Sequence, residues 1–271
     1  KLEGLLLDDV KVVKAMDNTL EPGTHSLIIP ANMKKAGDLG KNKARLILLN
    51  KSDLADDAQN EKWIEYFKAK GYHALKINSK NKSGIKEINN VVNEACKEKI
   101  ERDRKRGIKN RPVRAMVVGI PNVGKSTFIN AYAGRNCAKT GNKPGVTKGK
   151  QWIKLSKTLE LLDTPGILWP KFEDQAIGLK LALIGSINDN ILDVSDMAYE
   201  FVKILNNSYE NAIPNRFGVE KNDDPLKMLE GIAEVRGCKL KGNVLDLEKA
   251  SSILLEEFRS GKLGKITLDR L

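Results

Sequence analysis

Cysteine is scarce in this chain, with three residues in 271: Cys96, Cys137 and Cys238. They are odd in number, widely spaced and outside any C-x-x-C pattern. That excludes a disulfide framework and a structural zinc site, and it fits a reducing, cytoplasmic setting. Histidine is scarcer still, and His25 and His73 read as surface or structural residues. No apolar run is long enough to span a bilayer, and the N-terminus shows no signal-peptide pattern, so no membrane partner is expected. Internal repeats and low-complexity tracts are absent. The chain starts at Lys1 rather than Met, which leaves room for sequence ahead of it.

What is present is length and positive charge. The 271 residues, 41% hydrophobic, can build one large domain or two of ordinary size. The net charge of +12 is uneven: residues 189–271 hold 12 Lys/Arg against 15 Asp/Glu, leaving +15 on residues 1–188. Residues 97–114 carry nine basic and three acidic side chains. Residues 135–157 carry Arg135, Lys139, Lys143, Lys148, Lys150, Lys154 and Lys157 with no acid. Such clusters neutralise phosphates, the dominant sequence-independent term in nucleic-acid affinity, so an RNA surface is the sharper reading and a solubilising surface the plainer one.

The pattern of elements points to an α/β domain. Residues 45–49, 72–77 and 113–118 are short, mostly apolar runs that suit buried parallel strands. Residues 152–155 and 159–162 read as paired strands. Helical spacing predicts helices over 60–70, 85–106 and 125–133, the second with Ile85, Ile88, Val92 and Cys96 on one face. After about residue 172 the strand signals fade, and 196–205, 225–235 and 247–258 show helical periodicity. The expectation is a doubly wound α/β domain over 1–172 and a smaller all-α domain over 173–271.

Four short motifs carry the chemistry. Gly119-Ile120-Pro121-Asn122-Val123-Gly124-Lys125-Ser126 follows G-x-x-x-x-G-K-[ST] between a strand and a helix, the context that makes a phosphate-binding loop credible. Backbone N–H groups of this loop, through Val123, Gly124 and Thr127, would cradle phosphates at the helix N-terminus. Lys125 would neutralise the β- and γ-phosphates and act in catalysis, and Ser126 would ligate Mg²⁺. Asp163-Thr164-Pro165-Gly166 is a good turn sequence in itself. Its place after the loop assigns Asp163 to Mg²⁺ and the Gly166 amide to the γ-phosphate. Between the two, Thr147 is the candidate for a second Mg²⁺ ligand and γ-phosphate sensor.

Asn50-Lys51-Ser52-Asp53 could simply cap the helix that follows. Read as N-K-x-D, its aspartate accepts two hydrogen bonds from guanine N1–H and the exocyclic amine, a pair adenine does not offer. Asn50 would brace the loop, and the Lys51 stem would lie over the ring. Asn78-Ser79-Lys80 closes the next strand, where the Ser79 amide could meet guanine O6. An ATPase remains the reading if N-K-S-D is accidental.

The base-reading motif precedes the phosphate loop, the reverse of the usual order. The series N-K-S-D, N-S-K, G-I-P-N-V-G-K-S, P-G-V-T (Pro144 to Thr147), D-T-P-G resembles the circularly permuted P-loop GTPases, and most closely the ribosome biogenesis GTPase A (YlqF/RbgA) family. Arg236-Gly237-Cys238 and the stretch from Phe258 to Ile266 are similar to that family's tail. The resemblance covers residues 43–271. It implies a cytoplasmic, monomeric GTPase that uses GTP/GDP and Mg²⁺. It further implies binding to the large ribosomal subunit and its rRNA, not to DNA, and action late in subunit assembly. The first forty residues depart from the family: Asp17-Asn18-Thr19-Leu20-Glu21-Pro22 stands where D-A-R-x-P is usual, and Asn32 stands where a histidine is expected.

Ile167 and Leu168 follow Gly166 where ordinary GTPases place a water-orienting glutamine, so slow intrinsic hydrolysis is expected. Asn122 resembles the asparagine of potassium-activated GTPases and is the candidate K⁺ ligand, although it also suits the loop turn. Two functions follow: a switch whose hydrolysis the ribosome stimulates, or a GTP-gated rRNA-binding scaffold with negligible hydrolysis.

Overall fold

The computed structural model describes residues 10–17, 44–108, 111–138, 151–155, 159–163, 175–187 and 193–271. They form two compact units. One comprises Lys1–Ser52, Asp57–Lys171 and Leu271; the other comprises Asp53–Asp56 and Phe172–Arg270. The second unit therefore takes in four residues from early in the chain, which no division at a single position allows for.

The first unit is built on a six-stranded sheet. Its strands are β1 (Val10–Asp17), β2 (Arg45–Asn50), β3 (His73–Lys76), β4 (Val113–Val118), β5 (Gln151–Lys154) and β6 (Leu159–Asp163), in the order β3-β2-β1-β4-β6-β5. All neighbours are parallel except β5, which pairs antiparallel with β6 at the edge. The order reverses between β1 and β4. Because β2, β3, β4 and β6 run parallel, their carboxyl ends meet one edge of the sheet, the edge at which ligands bind in open α/β sheets.

Both faces of the sheet are buried, which explains why β2 reads as a continuous apolar run and not an alternating one. Leu46 and Leu48 pack with Ile88, Phe128 and Ile129 on one side. Ile47 and Leu49 pack with Trp63, Ile64 and Phe67 on the other. The helices concerned are α1 (Asp57–Ala69), α2 (Glu87–Ala95) and α4 (Lys125–Ala133). The single helix expected over 85–106 is instead two. Cys96, at φ −111° and ψ 9°, breaks it between α2 and α3 (Lys97–Lys105), and Ile85 precedes both. The expected apolar face is kept across the break: Ile85, Ile88 and Cys96 are buried in one cluster, with Val92 packed against it.

The second unit is helical: α5 (Gln175–Leu183), α6 (Val194–Ser208), α7 (Ala212–Phe217), α8 (Pro225–Val235) and α9 (Leu247–Arg259). Of these, α5 and the short α7 carry too weak a periodicity to stand out in the sequence. Aspartates start the three long helices. Asp193 accepts from the Ser195 and Asp196 amides, Asp224 from Leu226 with Pro225 in the first turn, and Asp246 from Lys249. The core is apolar, with the Phe201 and Phe258 rings 4.6 Å apart. Glu257, buried beside it, accepts from Arg216 Nη2 at 2.9 Å and Arg236 Nη2 at 2.7 Å. Among the described residues, no helix is long and apolar enough to cross a membrane.

Candidate functional site

The phosphate-loop sequence leaves the buried strand β4 at Gly119 and enters α4 at Lys125. Two left-handed residues, Asn122 (φ 61°) and Gly124 (φ 89°), turn the loop back on itself. No side-chain hydrogen bond caps α4 at Gly124 among the described residues; an uncapped helix N-terminus of this kind is suited to an anion. Lys125 is buried, and its ammonium donates to the carbonyls of Gly119 at 3.0 Å and Ile120 at 2.9 Å. The cation of the motif is thus folded across the loop. Ser126 is half-buried and Thr127 exposed in the same turn.

Asn50, at the end of β2, closes the loop from the other side. It is 2% exposed. Its Nδ2 donates to the Val123 carbonyl at 2.8 Å, and its Oδ1 accepts the Ser79 amide at 3.1 Å. One side chain therefore joins three motifs that are far apart in sequence. The approach is close: a Cβ on Gly124 would stand 2.4 Å from Asn50 Nδ2. Gly124 is thus required twice, by its φ and by its neighbour.

Around Asn50 the backbone is equally constrained. Lys51 is left-handed at φ 56°, a conformation uncommon outside glycine and asparagine. The Ser52 amide donates to the Ile77 carbonyl at 3.1 Å. Asn78 is buried, and its Oδ1 accepts the Lys80 and Asn81 amides at 2.9 and 3.2 Å, shaping the second loop. Asp53 is exposed and its carboxylate has no partner among the described residues. That is the state of an acceptor open to a ligand.

Ser79 belongs to the second loop. Its amide, assigned to guanine O6, is engaged by Asn50 Oδ1. Its Oγ is buried and has no hydrogen-bond partner among the described residues. A buried hydroxyl without a partner is uncommon in a folded protein. Lys80 is exposed beside it.

Asp163 ends β6, with its backbone in register with Val117 of β4, two residues before Gly119. Its side chain, and all of Thr147, Gly166, Ile167 and Leu168, lie outside the described residues, as do His25 and Asn32. Most of the basic stretch 135–157 lies outside them as well. In the other stretch, Arg102, Arg104, Lys105 and Arg106 on and after α3 are exposed and free of ion pairs among the described residues. Arg114 is not part of that free surface, because it pairs with Glu160 at 3.1 Å and lies over the Trp152 ring.

Over residues 114–225 the chain matches the family model described as 50S ribosome-binding GTPase. It is 43% identical to the ribosome biogenesis GTPase A of Bacillus cereus over 258 residues, which span 95% of this chain and 87% of that protein. The corresponding protein of Thermotoga maritima is 32% identical over 84% of this chain and 77% of its own length. Among solved structures, the chain is similar to GNP-bound YlqF from T. maritima. The TM-score is 0.64 at 26% identity, covering 96% of this chain and 92% of that one. Identity of this degree along nearly the whole of both sequences carries the enzyme class with it: the chain is a GTPase and belongs to the ribosome biogenesis GTPase A family.

Proposed function

We propose that this GTPase acts in ribosome assembly as a switch on the large subunit, binding in the GTP state late in assembly and leaving after a hydrolysis step that the subunit stimulates. The observation that carries the reading is the double hydrogen bond of Asn50 to Val123 and to Ser79. It unites a base-reading loop, a phosphate loop and the N-S-K turn at one sheet edge. The sheet order, with β4 at the point of reversal and helices on both faces, supports a doubly wound GTPase domain with permuted motifs.

In this reading Asp53 accepts from guanine, the Lys51 stem covers the base and Ser79 Oγ meets its edge. Amides from Asn122 to Thr127 hold the phosphates, and Lys125 exchanges its loop carbonyls for β- and γ-phosphate oxygens. Oxygen donors suit Mg²⁺, and the Ser126 hydroxyl, Thr147 and the Asp163 carboxylate would supply them. The ion supplies charge neutralisation at the phosphates. Thr147 and Gly166 sense the γ-phosphate, and Asn122 is the K⁺ ligand. The free cations of α3 and the helical unit supply the rRNA contact.

With Ile167 and Leu168 after Gly166, no side chain there can orient water, so acceleration must come from the partner. Timing GTP hydrolysis in K⁺ and in Na⁺ buffer, each with and without large subunits, tests this. Strong stimulation by subunits in K⁺ supports the switch. Retained GTP-dependent subunit binding without stimulation supports the scaffold alternative. Loss of both effects ends the proposal.

A further inference from the structure

Asp53, Leu54, Ala55 and Asp56 group with the helical unit although they continue the Asn50-Lys51-Ser52 sequence. Within that unit the C-terminal segment 261–267 holds them. The Leu54 carbonyl accepts the Ile266 amide at 3.0 Å. The Asp56 amide donates to Thr267 Oγ1, also at 3.0 Å and across 211 positions of sequence. Gly261 lies so close to Leu54 that a Cβ there would stand 2.6 Å from Leu54 Cδ2. Ala55 is fully buried.

The segment is itself anchored. Thr267 is 1% exposed. Its amide donates to Tyr209 Oη at 3.0 Å, and that hydroxyl donates back to the Thr267 carbonyl at 3.4 Å. Tyr209 directly follows α6. Lys180 of α5 pairs with Asp269, two residues beyond Thr267. The Asp53 side chain, by contrast, is exposed and fixed by no partner among the described residues. Its position is inherited from the backbone on either side.

We infer that segment 261–267 is a brace for the base-reading loop, and that Thr267 is the positioning residue that sets guanine preference through Asp56. The inference rests on reading Asp53 as the guanine acceptor. A carboxylate that takes two hydrogen bonds from one base edge tolerates little displacement, because each bond weakens steeply as its angle closes. Thr267 Oγ1 satisfies the Asp56 amide; an apolar isostere leaves that amide unpaired and lets the loop shift toward water.

The test compares GTP with ITP, which lacks the exocyclic amine and so offers Asp53 one hydrogen bond fewer. Competition against a fluorescent guanine nucleotide gives both affinities for the full chain. Thr267→Val weakens GTP roughly fivefold and ITP by less than about twofold, so the preference for GTP shrinks. Thr267→Ser, which keeps the hydroxyl, retains the preference. A purely structural Thr267 predicts a lower melting temperature with both nucleotides weakened alike; an unchanged ratio overturns the brace. Tyr209→Phe removes the anchor and shifts the ratio the same way. It decides the matter if Thr267→Val does not fold, and an unchanged ratio in it overturns the brace equally. Asp53→Asn separates the two ideas. A switch to XTP with the Thr267→Val ratio unchanged sinks the brace alone. Failure to switch removes the base assignment and the brace together.

Discussion

Asn50 Nδ2 donates to the Val123 carbonyl at 2.8 Å across 73 positions of sequence, so the loop proposed to read the base also holds the loop proposed to cradle the phosphates. Both Asn50 and Val123 are buried. A buried amide side chain with both ends paired is rigid, and truncating it orphans two partners at once.

Asn50→Ala is therefore expected to destabilise the protein by about 1–3 kcal/mol, because the Val123 carbonyl and the Ser79 amide lose their partner. Nucleotide affinity falls at the same time, since both loops loosen. Urea unfolding with and without GDP measures the two effects together. Wild-type stability in the variant contradicts the bracing role.

Gly124→Ala introduces a Cβ 2.4 Å from Asn50 Nδ2 at a backbone φ of 89°. A cost of roughly 1–3 kcal/mol from the left-handed strain alone is expected, with the clash in addition. In an Asn50→Ala background the clash disappears and only the strain remains. A double-mutant cycle on unfolding free energy should show coupling between the two sites, and strict additivity contradicts the close approach.

Asp53→Asn should weaken GTP and favour XTP, whose O2 accepts where guanine donates. Lys125→Ala should abolish nucleotide binding, because it removes the ammonium that the loop holds at the Gly119 and Ile120 carbonyls and that is proposed to neutralise the β- and γ-phosphates. Calorimetric titration with GDP, GTP and XTP checks both. Unchanged GTP affinity in either variant removes the role assigned to that residue.

The exposed cations of α3 make a prediction in salt. Replacing Arg102, Arg104 and Lys105 with alanine should weaken rRNA binding. It should also flatten the plot of log affinity against log salt by roughly 2–3, close to one for each phosphate that is no longer neutralised. Filter binding over a KCl series measures the slope. An unchanged slope moves the RNA surface elsewhere.

Glu257 faces two arginines, Arg216 at 2.9 Å and Arg236 at 2.7 Å. Glu257→Ala leaves two like charges side by side in the helical unit. The loss should be about 2 kcal/mol, short of the 3–5 kcal/mol of a fully buried pair because both guanidinium groups are partly in solvent. Thermal unfolding of the variant gives the value, and a shift of under about 1 °C argues that solvent already screens the pair.

The elements were legible wherever burial is uniform or amphipathic. β2 and β4 are apolar runs because both faces of a parallel sheet are covered, and α6, α8 and α9 announce themselves by period and by the aspartates that cap them. The motifs were legible because phosphate cradling and guanine reading each demand particular residues at fixed spacing. The break at Cys96 was not, because the apolar spacing runs unchanged through it, and the short α7 was not, because six residues are too few to show a period.

The amino-acid sequence by itself determined the motif order, the division into strand-bearing and helical stretches, and which residues are proposed to bind a guanine nucleotide. Those properties depend on residue type and local spacing. Tertiary structure alone decided that the Asn50 side chain joins Val123 to Ser79. It alone placed Leu54 and Asp56 on the C-terminal segment. Hydrogen bonds across 73 or 211 positions leave no periodic or propensity signal, because the groups that form them become neighbours only once the sheet and the helices have packed.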